Sequence, residues 1–435
     1  MPYLSGMILK RISVFFFFLL SAQISYAQDA VADVDLTINN IKFEGLKKTK
    51  EVYLLSIIHS DANTLSSQSA ISKDVQRLKN LSNIANAQYR IDTIAQENVQ
   101  LTFIIEERRT LIPIINFGGI KGNIWFTLGA TENNLGGYGN VLLAFYQNNN
   151  GRHSGQFYFR KPRLLNNNWG YSITVNKWSS LEPLFFDEGP VQYLYDNNGA
   201  GLSIIRNFGL NRQIELGTTF FKEIYNKANN QELINPPGPD DFSQNKFLTK
   251  LIIKQDFLNY HYFYLKGHEL ILNYQNVYNF FDATWFNSLQ FQAKIFFRPS
   301  PKLNIASRLK LGISTNNDSP FAPFVADSHI NIRGIGNRID RGTAQVVFNL
   351  EARYTVYHKK FWGGQIVAFT DSGTWRNPGG ELSDLFDSDL FRQFVGIGTR
   401  VIYQKIFGAT LRIDYGVDLY DTQQRGFVLG LEQYF

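Results

Sequence analysis

The stretch Ala344–Val356 reads AQVVFNLEARYTV. Every even position is apolar or aromatic: Ala344, Val346, Phe348, Leu350, Ala352, Tyr354 and Val356. The odd positions include Gln345, Asn349, Glu351, Arg353 and Thr355, with Thr343 just before them. A period of two is that of a β-strand whose two faces meet different surroundings. The pattern returns between Phe407 and Leu419, where Phe407, Ala409, Leu411, Ile413, Tyr415, Val417 and Leu419 alternate with Gly408, Thr410, Arg412, Asp414, Gly416 and Asp418. Leu303–Ile313 and Trp285–Phe297 repeat it. Runs of this length exceed the five or six residues of ordinary soluble strands and match a tilted crossing of a bilayer. A charged face backed by Leu, Ile and aromatics suits water inside a barrel and lipid outside it.

Outward from that stretch, residues 111–435 contain no convincing amphipathic helix. Sixteen candidate strands fit there, starting near Ile112, Asn123, Asn140, Ser154, Trp169, Val191, Arg212, Asn245, His261, Trp285, Lys302, Thr343, Phe361, Phe391, Phe407 and Arg425. An even count is expected of a single-chain outer-membrane barrel. The Pro236-Pro237-Gly238-Pro239 stretch is expected to be a loop, since proline cannot donate to a ladder. The connection from Ser314 to Arg341, between strands eleven and twelve, is too long for a turn, and structureless loops of this length usually have a function or are disordered. It contains Ile332, Arg333, Gly334 and Ile335. In strand thirteen Phe369, Asp371 and Gly373 share one face by period two, while Trp362, Ile366 and Ala368 occupy the other. The first three are therefore predicted to point into the lumen. In the last strand Phe427, Leu429, Leu431 and Phe435 are predicted to share one face, with Gln433 the polar exception. Pro113 and Gly118-Gly119 in the first strand weaken its ladder, which makes the junction of first and last strands a candidate weak seam.

The N-terminal part has a different period. Lys10 and Arg11 precede the apolar run Ile12–Leu20, and Ser25-Tyr26-Ala27 fits a small-x-small cleavage site, so residues 1–27 read as a signal peptide. The apolar run is too short to cross about 30 Å of hydrocarbon as a helix. Residues 28–110 read as a small mixed domain with linkers, and residues 111–435 as the barrel. In the small domain a strand is expected near Leu36–Phe43 and a turn at Gly45. A helix capped by Thr49 would follow, with Val52, Leu55 and Ile58 as its apolar face. A second helix over about Ser67–Leu81 carries Ile71, Val75 and Leu78, and strands near Ile84–Ile91 and Val99–Glu106 complete the order β-α-α-β-β.

Composition narrows the function classes. Charged residues make up 18%, aromatics 15%, and cysteine is missing, so disulfides, thiolate metal sites and thiol nucleophiles are excluded. Removal of the signal peptide takes away Lys10 and Arg11 and lowers the net charge from +6 to +4, too little to argue for nucleic acid. The six histidines form no helical zinc motif, and no Gly-x-Ser-x-Gly elbow or phosphate-binding loop occurs. No catalytic or metal-ligating residue is assigned, no cofactor is implied, and no enzyme is expected.

Two resemblances extend this reading. The stretch Ile41–Thr49, IKFEGLKKT, and the element order over roughly residues 36–108 resemble a polypeptide-transport-associated (POTRA) domain. Arg333-Gly334 in the sixth extracellular loop, Phe369-x-Asp371-x-Gly373 in strand thirteen, and Glu132–Gly139 (ENNLGGYG) after strand two resemble the BamA/TamA outer-membrane assembly and secretion superfamily. Ile335 stands where that family usually carries an aromatic.

The resemblance implies a mostly β protein: a 16-stranded antiparallel transmembrane β-barrel preceded by one small POTRA domain. It implies that the long loop folds into the lumen as a plug, with Arg333 on the Asp371 carboxylate. It also implies that Phe427, Leu429, Leu431 and Phe435 act as a terminal-strand signal. The implied location is the outer membrane of a Gram-negative bacterium, with the POTRA domain in the periplasm. The implied partners are outer-membrane lipid, unfolded outer-membrane or secreted proteins, and periplasmic or lipoprotein accessory subunits. Substrate strands would add to a POTRA sheet edge. Two alternatives stay open: a passive plugged channel or porin, and a dedicated transporter for one secreted partner. The latter typically has two POTRA domains and a plug helix, and about ten residues between the expected cleavage site and the first strand leave no room for such a helix.

Overall fold

The computed structural model describes residues 35–435 apart from 96–97, 121–122, 150, 165–166, 230–235, 262, 318–320, 327–330, 336–339, 407–408 and 432. The expected signal peptide lies outside the described residues.

The first unit runs β1 (Asp35–Glu44), α1 (Glu51–Leu55), β2 (Thr64–Ser67), α2 (Gln68–Lys79), β3 (Ile84–Ala95) and β4 (Asn98–Glu107). Its sheet has the order β2-β1-β4-β3, with β1 and β4 parallel and the other pairs antiparallel. Strand β2 is an addition to the expected order. Its four residues carry a single large apolar side chain, Leu65, which is 71% exposed, so no alternation announces it. Two details of α1 also differ from expectation. Lys50 is its N-cap and makes no side-chain cap, while the Thr49 side chain accepts hydrogen bonds from Asn83 and Asn134. Tyr53 and Leu54 face inward and Val52 and Leu55 outward, because a helix of five residues is positioned by its neighbours rather than by its own period. The second helix is capped by Ser67, whose hydroxyl accepts from Ala70 N at 3.2 Å. Ile38, Leu54, Ile71, Leu78, Leu101 and Phe103 form the centre of the core.

The barrel follows three residues after β4. Its strands are β5 (Leu111–Ile120), β6 (Asn123–Leu135), β7 (Asn140–Asn149), β8 (Arg152–Lys161), β9 (Trp169–Phe186) and β10 (Gly189–Phe208). They continue as β11 (Arg212–Lys227), β12 (Asp241–Asp256), β13 (Asn259–His261), β14 (Tyr264–Asn279), β15 (Thr284–Ser300) and β16 (Leu303–Ser314). Short strands β17 (Phe324–Ala326) and β18 (Asp340–Gly342) pair with each other inside the long connection. The sheet then closes with β19 (Ala344–Lys359), β20 (Trp362–Arg376), β21 (Arg392–Tyr403), β22 (Thr410–Asp418) and β23 (Arg425–Leu431). The paired strands are antiparallel, and β13 is a three-residue addition on β14 that leaves sixteen long strands around the barrel among the described residues. The ninth long strand therefore starts at Tyr264 rather than His261. The Pro236–Pro239 stretch lies outside the strands, as its prolines require.

Strands β9 to β12 reach 16 to 20 residues, longer than a bilayer crossing needs. Their far ends enclose Leu184, Val191, Tyr193, Tyr195 and Tyr225. Pro183 sits in β9 where only β10 pairs with it, since β8 reaches no further than Lys177. On the outer face Leu202, Ile204, Leu216, Ile366, Ile397 and Phe427 are all more than half exposed, an apolar surface that belongs against lipid.

Candidate functional site in the barrel lumen

Alternation decides which side chains reach the lumen. On β19 Asn349, Glu351 and Arg353 are buried; on β20 the buried residues are Phe369 and Asp371; on β21 and β22 they are Arg400, Arg412 and Asp414. The register sets Asn349 opposite Asp371, Glu351 opposite Phe369, and Arg400 opposite Arg412. One patch of barrel wall thus gathers carboxylates and guanidiniums from four consecutive strands.

The long connection adds the central cation. Arg333 is fully buried, and its Nε and Nη2 donate to the two oxygens of Asp371, each at 2.8 Å. Its backbone N–H donates to the same carboxylate at 2.9 Å. Arg333 also bonds Glu351 and lies 3.8 Å from Asp414. Its guanidinium lies over two rings, 3.7 Å from Phe369 and 4.3 Å from Tyr434. A planar fork on a carboxylate, set over aromatic rings, uses the features that separate arginine from lysine. Next to it Gly334 has φ +98°, and a Cβ there would stand 2.8 Å from the backbone of Gly416. The loop can approach β22 this closely only with glycine. Ile335 packs against the cluster of Phe324, Ile332, Val347, Trp375 and Phe394, so an aliphatic side chain occupies the apolar ground beside the arginine.

Other charges complete the network. Arg353 donates to Glu351 at 2.6 Å, Arg400 to Asp414 at 2.7 Å, and Arg412 to Asp414 at 3.3 Å. Asn349 donates to Asp371 at 2.8 Å and accepts from Arg308. Five guanidiniums therefore surround three carboxylates among the described residues. Aromatic faces cover the excess: Tyr434 lies 5.3 Å from Arg308 and 4.9 Å from Arg412, and Phe435 lies 5.0 Å from Arg308 and 5.6 Å from Arg353.

The structure brings Arg333, Gly334, Phe369, Asp371 and Gly373 together. Gly373 has no room for a side chain between Trp375 and Ile332. Phe427, Leu429 and Leu431 point outward as expected, at 76%, 62% and 45% exposure. Phe435 does not share their face. Among the described residues ladder pairing reaches Leu431, and Gln433–Phe435 lie in the lumen, where Gln433 accepts from Arg400 at 3.2 Å and Phe435 lies against Phe296. Guanidiniums supply the reason, since Gln433, Tyr434 and Phe435 each find one inside. The polar Gln433 that interrupted the apolar face was the signal for this inward placement. Glu351, Arg353, Arg412 and Asp414 stood in the alternating runs without a role, and the place of Tyr434 had no signature in the sequence.

At one mouth of the barrel the small domain docks on the turn between β6 and β7. Lys50 N donates to the carbonyl of Gly137 at 3.0 Å, Asn134 donates to Thr49 at 3.1 Å, and Lys48 meets Glu132 at 2.8 Å. Tyr53 presses on Gly139, and burial pushes its phenol up to about 12, with Arg163 opposing. Glu107 accepts from the backbone N–H groups of Lys47, Lys48 and Thr49. Burial pushes its carboxyl up, but these bonds outweigh it and hold the group below the usual carboxylate range. The Glu132–Gly139 motif is thus a docking hairpin, and its glycines admit the Lys48 carbonyl and the Tyr53 ring.

BamA from Haemophilus ducreyi lacking POTRA domains 1–3 superposes with a TM-score of 0.54 at 15% identity, over 91% of this chain and 83% of that one. CdiB from Acinetobacter baumannii superposes at 0.58 with 12% identity, covering 92% and 74% of the two chains. CdiB from Escherichia coli gives 0.58 at 11% identity, over 91% and 74%. The chain has the BamA and CdiB fold. No family model matches the sequence, and no curated protein matches it.

Proposed function

We propose that this chain is an outer-membrane barrel of the assembly and secretion type that assists insertion, folding or translocation of other proteins. The observation that carries the reading is Arg333 gripped by Asp371 inside a barrel whose one mouth holds a docked POTRA-like domain. The Arg-Gly loop acts as the lumen plug, and the small domain faces the periplasm. No catalytic chemistry and no cofactor take part. Substrates are unfolded outer-membrane or secreted proteins, with accessory subunits as further partners. Substrate docks by strand addition on β3, the longer edge of the small sheet at 12 residues. A loop held in the lumen by the charged network favours a plugged resting state over a passive open channel.

Depletion tests the reading: unfolded outer-membrane proteins accumulate in the periplasm if it is right, and an unchanged envelope profile rejects it. A photo-crosslinker at Gln88, exposed on β3, is expected to capture nascent outer-membrane or secreted chains. Capture no greater than from Glu188 at the opposite end would remove β3 as the docking edge.

A further inference from the structure

At the POTRA end of the barrel, cations and rings alternate across five neighbouring strands of the outer face. Trp169, the first residue of β9, lies opposite Arg206 of β10. The Arg206 guanidinium is 4.9 Å from the Trp169 ring and 5.8 Å from that of Phe208. Phe208 lies opposite Arg212 of β11, and Arg212 is 6.0 Å from Phe257, just past the end of β12. The Phe257 ring in turn lies 5.2 Å from His268 of β14.

The belt belongs to the lipid-facing surface. Arg206 and Phe208 share the parity of Leu202 and Ile204 on β10, and Arg212 shares that of Leu216 and Phe220 on β11. Trp169, Phe208 and Phe257 are exposed, as are Arg212 and His268. Neither Arg206 nor Arg212 forms an ion pair with a described residue, whereas Arg333, Arg353 and Arg400 in the lumen each meet a carboxylate. The opposite ends of the same strands carry exposed Asp187, Glu188, Asp241 and Asp282. Exposed Lys177 of β9 and Lys222 of β11, both opposite Asn198, also face outward toward that end, so what marks the POTRA end is the pairing of cations with rings.

We propose that this belt binds the phosphates of anionic glycerophospholipids in the leaflet at the POTRA end. A ring holds one face of each guanidinium, which leaves the N–H fork free for a phosphate. Aromatics at interfacial depth place the pair at headgroup level. The occupant is a lipid rather than an acidic protein because the belt is continuous with Leu202, Ile204 and Leu216, which the bilayer covers. Binding there fixes the depth of the barrel in that leaflet.

The test uses the full chain reconstituted in phosphatidylcholine vesicles with trace spin-labelled phosphatidylglycerol or phosphatidylcholine. A basic side chain near an anionic surface is worth about fivefold in affinity. The wild type is expected to prefer phosphatidylglycerol several-fold, with the preference falling as salt rises. R206Q/R212Q is expected to bring it near one, and R206K/R212K to retain most of it. No preference in the wild type, or a wild-type preference in R206Q/R212Q, overturns the proposal. Should R206Q/R212Q fail to fold, photoactivatable phosphatidylglycerol on the wild type decides. Adducts around Trp169, Phe208 and Phe257 uphold the proposal, and adducts confined to the acidic end overturn it.

Discussion

The lumen arginine site and the POTRA dock both fasten a segment to the barrel wall, but by different physics. In the lumen, Arg333 is held by the side-chain charges of Asp371, Glu351 and Asp414, all fully buried. At the dock, the contacts are backbone hydrogen bonds, close approach at glycines, and an ion pair whose Lys48 is 46% exposed. Loss of one partner from a buried charge network strands the rest, whereas loss of the half-exposed Lys48 ion pair from the dock costs little.

The largest expected effect tests the first half of that contrast. Arg333→Ala should destabilise the barrel by about 3–5 kcal/mol, because buried carboxylates lose their cation. Heat-modifiable migration and membrane yield should both fall. Arg333→Lys should rescue little, since an ammonium cannot span both oxygens of Asp371. A double cycle with Asp371→Ala should show strong coupling, and additive losses would mean that the pair is not one unit.

Tyr434→Ala comes next. A desolvated cation–π contact is worth about 2 kcal/mol, and this ring covers Arg308, Arg333 and Arg412. The same migration assay reads it. No loss would mean that the inward placement of the last residues contributes nothing to holding the loop.

At the dock the expected effects shrink. Lys48→Gln should cost no more than about 1 kcal/mol, the ceiling for a pair with one exposed partner. Protease sensitivity of the linker at Arg108 and Arg109 is the measurement, and a large rise would place the dock among the buried, cooperative contacts. The smallest effect is that of pH. The folded Glu107 carboxyl lies below its ordinary value, so its contribution is fully present above the unfolded pKa and is lost as pH falls through the lowered one. Amide exchange at Lys47, Lys48 and Thr49, corrected for intrinsic rates, should hold steady from neutral pH to about 5 and speed up only below the usual carboxylate range. Acceleration already at pH 6 would point to another group.

Legibility followed the range of each interaction. The alternation in Ala344–Val356 placed Glu351 and Arg353 inside and Tyr354 and Val356 outside, as found. It worked because a strand's two faces are set by neighbouring residues alone. Strand β2 escaped notice because four residues are too few to show a period. Thr49 looked like a cap by position, but its hydroxyl serves Asn83 and Asn134 from distant elements. Phe435 looked like part of an outer face, but it lies in the lumen against Phe296.

The sequence by itself determined a period-two chain with one wet and one apolar face, and hence a barrel in lipid after a small mixed domain. Its resemblances singled out Arg333 and Asp371. Tertiary structure alone decided that Glu351, Asp414 and Tyr434 join that pair, and that Trp169 meets Arg206 on the outside. The physical reason is that a face is a local property of a strand, while a contact between residues far apart in the chain depends on register and closure of the whole sheet.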